Sequence, residues 1–272
     1  TDMLGTLPSL NISGAGANPL FAGGAWSFST PNSTLFQDQY TYRVRVRARD
    51  SALPVGNLEP VISSMSFTKD ITAAGVGVVT PAPLPDQRGK IKSLANVMGT
   101  AYDDFGILYA SVAYQSSENF LYYNGADFLS AGPVWFNAPL AGGPQSYQWT
   151  AAGGSVPGSP PLTDGTSYYL IAKVRDAAGN PETVSDTTYR VLFDTTPPVA
   201  NITSPSNNGF VRQIASVTGA SSDPLAPARG SGLVASQIRI QRQSDSAYWT
   251  GGGWGVNTWL NAVAARRASC CL

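Results

Sequence analysis

Apolar and polar side chains alternate with a period of two over much of this chain, the pattern of strands that bury one face. Residues 91–97, 108–114, 167–174 and 183–193 read this way and predict strands. Glycine, proline, asparagine and aspartate punctuate them at intervals that suit a sandwich of short strands. Tyr123-Asn124-Gly125-Ala126 is the strongest hairpin signal, because Asn-Gly accepts the positive φ of a type I′ turn. Ala177-Ala178-Gly179-Asn180 predicts a second turn, joining the last two strands. No window of helical length carries a convincing apolar stripe, so the expected architecture is all-β, with about seven or more strands to a sandwich.

The pattern also repeats. Residues 42–50, ending Val46-Arg47-Ala48-Arg49-Asp50, return 126 positions later as 168–176, ending Ala172-Lys173-Val174-Arg175-Asp176. Asn57 and Glu59 then answer to Asn180 and Glu182, and Phe67 to Phe193. Val97-x-Gly99-x-x-x-Asp103 returns as Val217-x-Gly219-x-x-x-Asp223. Tyr122, Tyr123, Gly125 and Phe128 match Tyr248, Trp249, Gly251 and Trp254, and Trp135 matches Trp259. A period of about 125 residues makes 70–194 one complete unit, 1–69 the closing half of a unit and 195–262 the opening half of another. Residues 263–272 fall outside the repeat. A half sandwich exposes an apolar face and an unpaired edge, so the two halves are expected to complete one sandwich, within a chain or between chains.

Composition narrows the chemistry. Seventeen basic and seventeen acidic residues cancel, leaving no net field to attract nucleic acid or an anionic membrane. Histidine is absent, which removes Ser-His-Asp and Cys-His catalysis and any His-ligated metal. The two cysteines, Cys270 and Cys271, are adjacent and staple nothing. The longest apolar stretch, 71–79, is too short to span a bilayer, and residues 1–4 carry no secretory signal pattern, so a signal is absent or already removed.

The ending Arg175-Asp176-Ala177-Ala178-Gly179-Asn180-Pro181-Glu182, the linker Phe193-Asp194-Thr195-Thr196-Pro197-Pro198, the opening Ile202-Thr203-Ser204-Pro205 and the strand at 217–223 carry a family resemblance. Together they resemble bacterial immunoglobulin-like (Big-type) repeats, which are strung in tandem in large secreted or cell-surface proteins. The aromatic segment 248–254 with Trp259-Leu260 is similar to a subset of such repeats in giant surface proteins. The resemblance covers about 19–262; the first linker, Phe67-Thr68-Lys69-Asp70, departs from it by lacking the proline pair. It implies tandem immunoglobulin-like β-sandwiches, an extracellular or cell-surface location, a spacer, adhesive or wall-associated role, and no catalysis.

Four clusters are candidates for chemistry. Asp176, Asn180 and Glu182 on one turn, with Asp194 at the unit border, offer oxygen ligands suited to Ca²⁺. The competing reading is an aspartate that accepts its own turn's N–H groups, Asn180 in the left-handed region and a solvated Glu182. Tyr123, Tyr248, Trp249 and Trp254 offer stacking surfaces for a glycan, against a role in aromatic core packing. Tyr122 and Tyr123 point to opposite faces, so one of them is expected to be exposed. Arg43, Arg45, Arg47 and Arg49 share one strand face, either as a docking stripe or as a solvated sheet face. Asp103-Asp104, with Glu118 and Asp127, could supply a glycosidase's carboxylate pair. The later repeat has Pro224 where Asp104 stands, so no shared mechanism follows.

The expected function is therefore a non-catalytic extracellular repeat segment that acts as spacer, adhesive or filament-forming module. Its expected partners are neighbouring repeats or copies of itself. A carbohydrate-binding accessory module, with surface glycan as partner, is the alternative.

Overall fold

A computed structural model describes residues 36–50, 52–81, 88–143, 145–158, 161–187, 189–225 and 229–263. The tail expected from 263 onward, with Cys270 and Cys271, lies outside them apart from Val263, as do residues 19–35 of the resemblance. The described residues are all-β, with a single 3₁₀ turn at Gly153–Ser155 and no helix long and apolar enough to cross a membrane.

The chain forms two compact units, Thr1–Lys69 and Asp70–Leu272. In the first, β1 (Thr41–Val46) pairs antiparallel with β2 (Ser63–Thr68). Tyr42 and Phe67 are cross-strand partners whose rings stack at 5.6 Å, with the Phe36 ring edge-on to Tyr42 at 4.9 Å. Arg43, Arg45, Arg47 and Arg49 are all exposed, as a solvated sheet face requires.

The second unit contains the apolar core. Its strands are β3 (Gly75–Thr80), β4 (Arg88–Ile91), β5 (Asn96–Tyr102), β6 (Ile107–Ser116), β7 (Tyr122–Tyr123), β8 (Phe128–Ser130), β9 (Phe136–Asn137), β10 (Leu140–Gly143), β11 (Ser146–Ala152), β12 (Thr166–Asp176), β13 (Thr183–Val184) and β14 (Arg190–Phe193). One sheet runs β10-β11-β5-β3. The other runs β4-β14-β12-β6-β7-β8, with β13 attached to β12 and β9 to β6. Val97, Trp149 and Ala151 from the first sheet and Val112, Tyr114, Leu170, Val174 and Phe193 from the second are fully or almost fully buried in one cluster. Two sheets that share a single core in this way are consistent with a sandwich.

Strand boundaries depart from the expectation where the chain changes sheets. Residues 91–97 do not form one strand: β4 ends at Ile91 in the larger sheet and β5 begins at Asn96 in the smaller. Residues 183–193 likewise split into β13 and β14. The turn at 124–127 is an Asx turn and not type I′: Gly125 alone takes a positive φ, of 103°, and Asn124 Oδ1 accepts the N–H groups of Ala126 and Asp127. In the turn after β12 it is Gly179, at φ 87°, that adopts the left-handed conformation expected of Asn180.

Six further strands follow, β15 (Val199–Ser204), β16 (Thr218–Ser222), β17 (Gln237–Ile238), β18 (Tyr248–Trp249), β19 (Trp254–Gly255) and β20 (Leu260–Asn261), and they make three two-stranded sheets, β15-β16, β17-β20 and β18-β19. The β15–β16 register runs Val199↔Ser222 and Ile202↔Gly219, then shifts to Ser204↔Thr218. The β3–β5 register runs Gly75↔Tyr102 and Val78↔Gly99, then shifts to Thr80↔Met98. Position for position these are one ladder with one bulge, written twice. In both, a Cβ added to the central glycine, Gly99 or Gly219, would overlap a cross-strand carbonyl oxygen, of Gly77 or Asn201.

One core residue is poorly satisfied. The Tyr114 side chain is fully buried and its hydroxyl has no hydrogen-bond partner, and burial pushes the phenol well above its ordinary pKa. An unpaired buried hydroxyl costs about 1–3 kcal/mol. Tyr114→Phe is therefore expected to leave stability unchanged or raise it by about 1 kcal/mol, measured by urea denaturation, where a loss above that size would show a hidden partner.

Candidate functional site

The core-facing rows of the two sheets end in carboxylates. Along β5, Val97, Gly99 and Ala101 face inward, and the next position of the same parity is Asp103. Along β12 the inward row Tyr168, Leu170, Ala172, Val174 ends at Asp176. Asp103 is 7 % exposed and Asp176 is 0 % exposed. Asp70, half-buried, lies just before β3, whose Val76 and Val78 pack on the core. Carboxylate oxygens of Asp70, Asp103 and Asp176 all lie within 4.8 Å of one another. The cluster thus closes one end of the core, where a strand of each sheet runs out.

Each aspartate spends Oδ1 on its own turn. Asp103 Oδ1 accepts the N–H groups of Phe105 and Gly106 at 2.8 and 2.9 Å. Asp176 Oδ1 accepts those of Gly179 and Asn180 at 2.8 and 2.9 Å, and Asp70 Oδ1 that of Thr72 at 3.0 Å. The Asn180 side-chain amide donates to the carbonyls of Asp70 and Thr72, at 3.3 and 3.2 Å, and so ties the segment before β3 to the turn after β12. Asp176 Oδ2 is buried and accepts no hydrogen bond. Burial by itself would push the Asp176 carboxyl up, yet the backbone and side-chain amides of Asn180, with the backbone N–H groups of Gly179 and Ala74, outweigh it and hold the pKa below its ordinary value, so the group stays ionised at neutral pH.

The four residues expected to bind calcium do not converge. Asp176 and Asn180 are together, but Glu182 is an exposed partner of Lys173, at 2.9 Å, and of the Tyr109 hydroxyl. Those hydrogen bonds, Tyr109 first, lower the Glu182 pKa and raise that of Tyr109. Lys173 also lies over the Trp135 ring, 4.7 Å from its centroid. Asp194 follows β14, whose Phe193 pairs with Thr166 at the opposite end of β12 from Asp176. Ten residues of strand separate those ends by roughly 33 Å. There Asp194 accepts the N–H groups of Thr196 and Ser231. Asp103 and Asp70 take the places that Glu182 and Asp194 were expected to fill. The signal that finds Asp103 is parity, because Val97-x-Gly99-x-Ala101-x-Asp103 keeps one face throughout.

The acidic groups considered for catalysis are also dispersed. Glu118 forms an ion pair with Arg229, Asp104 is exposed, and Asp127 sits on the exposed 124–127 turn. Arg229 further donates from Nε to the Gly165 carbonyl at 3.2 Å, which fastens the loop after β16 to the complete unit.

The aromatic candidates divide by location. Tyr123 is a core residue, 5 % exposed, packed on Tyr114, Phe128 and Phe136, with its hydroxyl bonded to the Gly125 carbonyl. It is unavailable for stacking on a sugar; its neighbour Tyr122 is half-buried. Tyr248 and Trp249 are half-buried, while Trp254 is exposed and sits edge-on to Trp249 at 5.7 Å. Arg242 lies over the Trp254 ring at 4.7 Å, and Arg239 over Trp259 at 4.5 Å. Arg242 also holds Asp245 through a two-pronged ion pair that lowers the Asp245 pKa to about 2.

No family model, no curated protein and no solved structure matches the chain, so its function rests on its own geometry.

Proposed function

We propose that this chain is a segment of an extracellular array of tandem immunoglobulin-like repeats, non-catalytic, working as a spacer or adhesive module that contacts neighbouring repeats or copies of itself. The observation that carries this reading is the duplicated ladder: β3–β5 and β15–β16 share their register, their bulge and their central glycine. A duplicated scaffold whose marked residues cap turns in every copy serves shape. Asp103 and Asp223 both accept turn N–H groups at Oδ1, as do Asp50 and Asp176. Antiparallel ladders closed around an apolar core also suit a chain that bears load along its length.

Stretching the full chain in single-molecule force spectroscopy tests it. A load-bearing unit of about 125 residues should give a force-resistant event that releases about 40 nm of chain, at ~3.3–3.6 Å per residue less the folded span. Extension without a resolved peak would remove the spacer reading. Light scattering on the eluting species separates a self-associating module from a monomer.

A carbohydrate-binding accessory module is the second reading, favoured by the exposed rings of Trp254 and Trp259, which are 43 % and 54 % exposed. Glycan binding that disappears on Trp254→Ala would support it. Binding to none of a broad glycan panel would retire it.

A further inference from the structure

We propose that Asp70, Asp103 and Asp176 form a calcium-type site that seals the open end of the core of the complete unit, a role independent of the spacer reading. Three carboxylates drawn together at the edge of an apolar interior repel one another, and the ionised Asp176 is out of contact with water altogether. Burying such a charge is expensive unless every lone pair finds a partner. The turn N–H groups satisfy Asp176 Oδ1, whereas Asp176 Oδ2 accepts no hydrogen bond. Neither Asp103 nor Asp176 takes part in any ion pair among the described residues.

Two other copies within the same chain act as controls for what that oxygen needs. Asp50, the repeat counterpart of Asp176, has Oδ1 bonded by the Ala52 and Asn57 N–H groups, and its Oδ2 is bonded by the Asn57 side-chain amide at 2.8 Å. The Asn180 side-chain amide donates instead to the carbonyls of Asp70 and Thr72, while staying close enough to the Asp176 carboxylate to lower its pKa. Asp194 and Asp223, the counterparts of Asp70 and Asp103, are each capped at Oδ2 by a peptide N–H, from Ser231 and Gly232 of the loop inserted after Asp223. The complete unit has no such loop, since Asp103 passes directly into the Phe105-Gly106 turn. Where protein donors cap the second oxygens the position is satisfied; at Asp176 a cation fills the same need.

The donor set chooses the ion. All the ligands are hard oxygens, with no histidine in the chain and no cysteine among the three, which suits Ca²⁺ or Mg²⁺ and not a thiophilic metal. Oxygens within 4.8 Å of one another lie no more than about 2.8 Å from a common point, from which small side-chain rotations reach the Ca–O distance of about 2.4 Å, whereas Mg²⁺ wants a tighter octahedron and holds its waters. The cluster is also preorganised: Asn180 pins the Asp70 segment to the turn that carries Asp176, so an ion finds its ligands already gathered.

Thermal unfolding of the full chain in calcium against chelator, with calorimetric titration of Ca²⁺, tests the site. An ion bound only by the folded state and present at about 100 times its Kd should raise Tm by roughly 5–10 °C. Asp103→Asn, which keeps an acceptor oxygen for the Phe105 and Gly106 N–H groups, should abolish the shift and the binding heat. In chelator it should melt at or above the wild-type temperature, because one of three like charges is gone. Asp70→Asn gives an independent readout should Asp176→Asn fail to fold. Asp223→Asn should leave the calcium shift intact. The proposal is overturned if wild type shows neither shift nor heat, or if Mg²⁺ at matched ionic strength gives an equal shift. It is overturned equally if Asp103→Asn lowers Tm alike with and without calcium.

Discussion

Trp149→Ala is expected to destabilise the unit Asp70–Leu272 by about 3–5 kcal/mol, a large share of the 5–15 kcal/mol typical of a whole domain. The indole is the largest fully buried side chain among the described residues. It projects from the middle of β11 onto the backbone of Gly99 in the neighbouring β5, and its Nε1–H donates to the Thr100 carbonyl at 3.3 Å. Truncation removes the transfer free energy of the ring and opens a cavity lined by strands that their own ladders hold in place, so the space cannot collapse. Circular dichroism during urea unfolding measures the loss. Trp254→Ala is the matched comparison: that ring is 43 % exposed, and its removal should cost under about 1 kcal/mol. Equal effects for the two tryptophans would show that Trp149 does not occupy the centre of the core.

The repeat was legible because it is carried by residues whose constraint is local. Gly99 and Gly219 must be glycine because a carbonyl passes across them, and Asp50, Asp103, Asp176 and Asp223 must accept the N–H groups of the turn that follows each. Parity within β12 likewise gave the inward row down to Val174. The failures share one cause, which is that sequence distance stood in for distance in the fold. The sequence joins Asp194, at the unit border, to the turn that carries Asp176, yet an eleven-residue antiparallel strand sends the two to opposite ends of the unit. Residues 91–97 read as one strand although the chain leaves the larger sheet after Ile91 and enters the smaller at Asn96; Leu94, buried out of parity with Val97, marks the break that the reading passes over. Parity also required Tyr122 and Tyr123 to face apart without saying which faced inward; the rings of Tyr114 and Phe136 decided for Tyr123. Asp103 could have been placed beside Asp176 by following both inward rows to their ends.

Gly99→Ala should cost about 3 kcal/mol, at the upper end of the range for overpacking. Its methyl group would overlap two things of different stiffness: the Gly77 carbonyl of β3, fixed by the ladder, and the Trp149 ring, which a rotamer change can move. A double-mutant cycle separates them. If the ring carries most of the clash, Gly99→Ala in a Trp149→Ala background should be nearly free. If the carbonyl carries it, the two costs should add, and the ladder geometry favours a result closer to addition. Gly219→Ala extends the comparison to the second copy of the ladder, where the Asn201 carbonyl is in the same place and no tryptophan ring is among the nearest atoms. That substitution therefore isolates the backbone clash, and because β15 and β16 form only a two-stranded sheet that can separate, it should cost about 1 kcal/mol. A Gly219→Ala cost equal to that of Gly99→Ala would mean that strand separation relieves none of the overlap, and that the second ladder is held as firmly as the first.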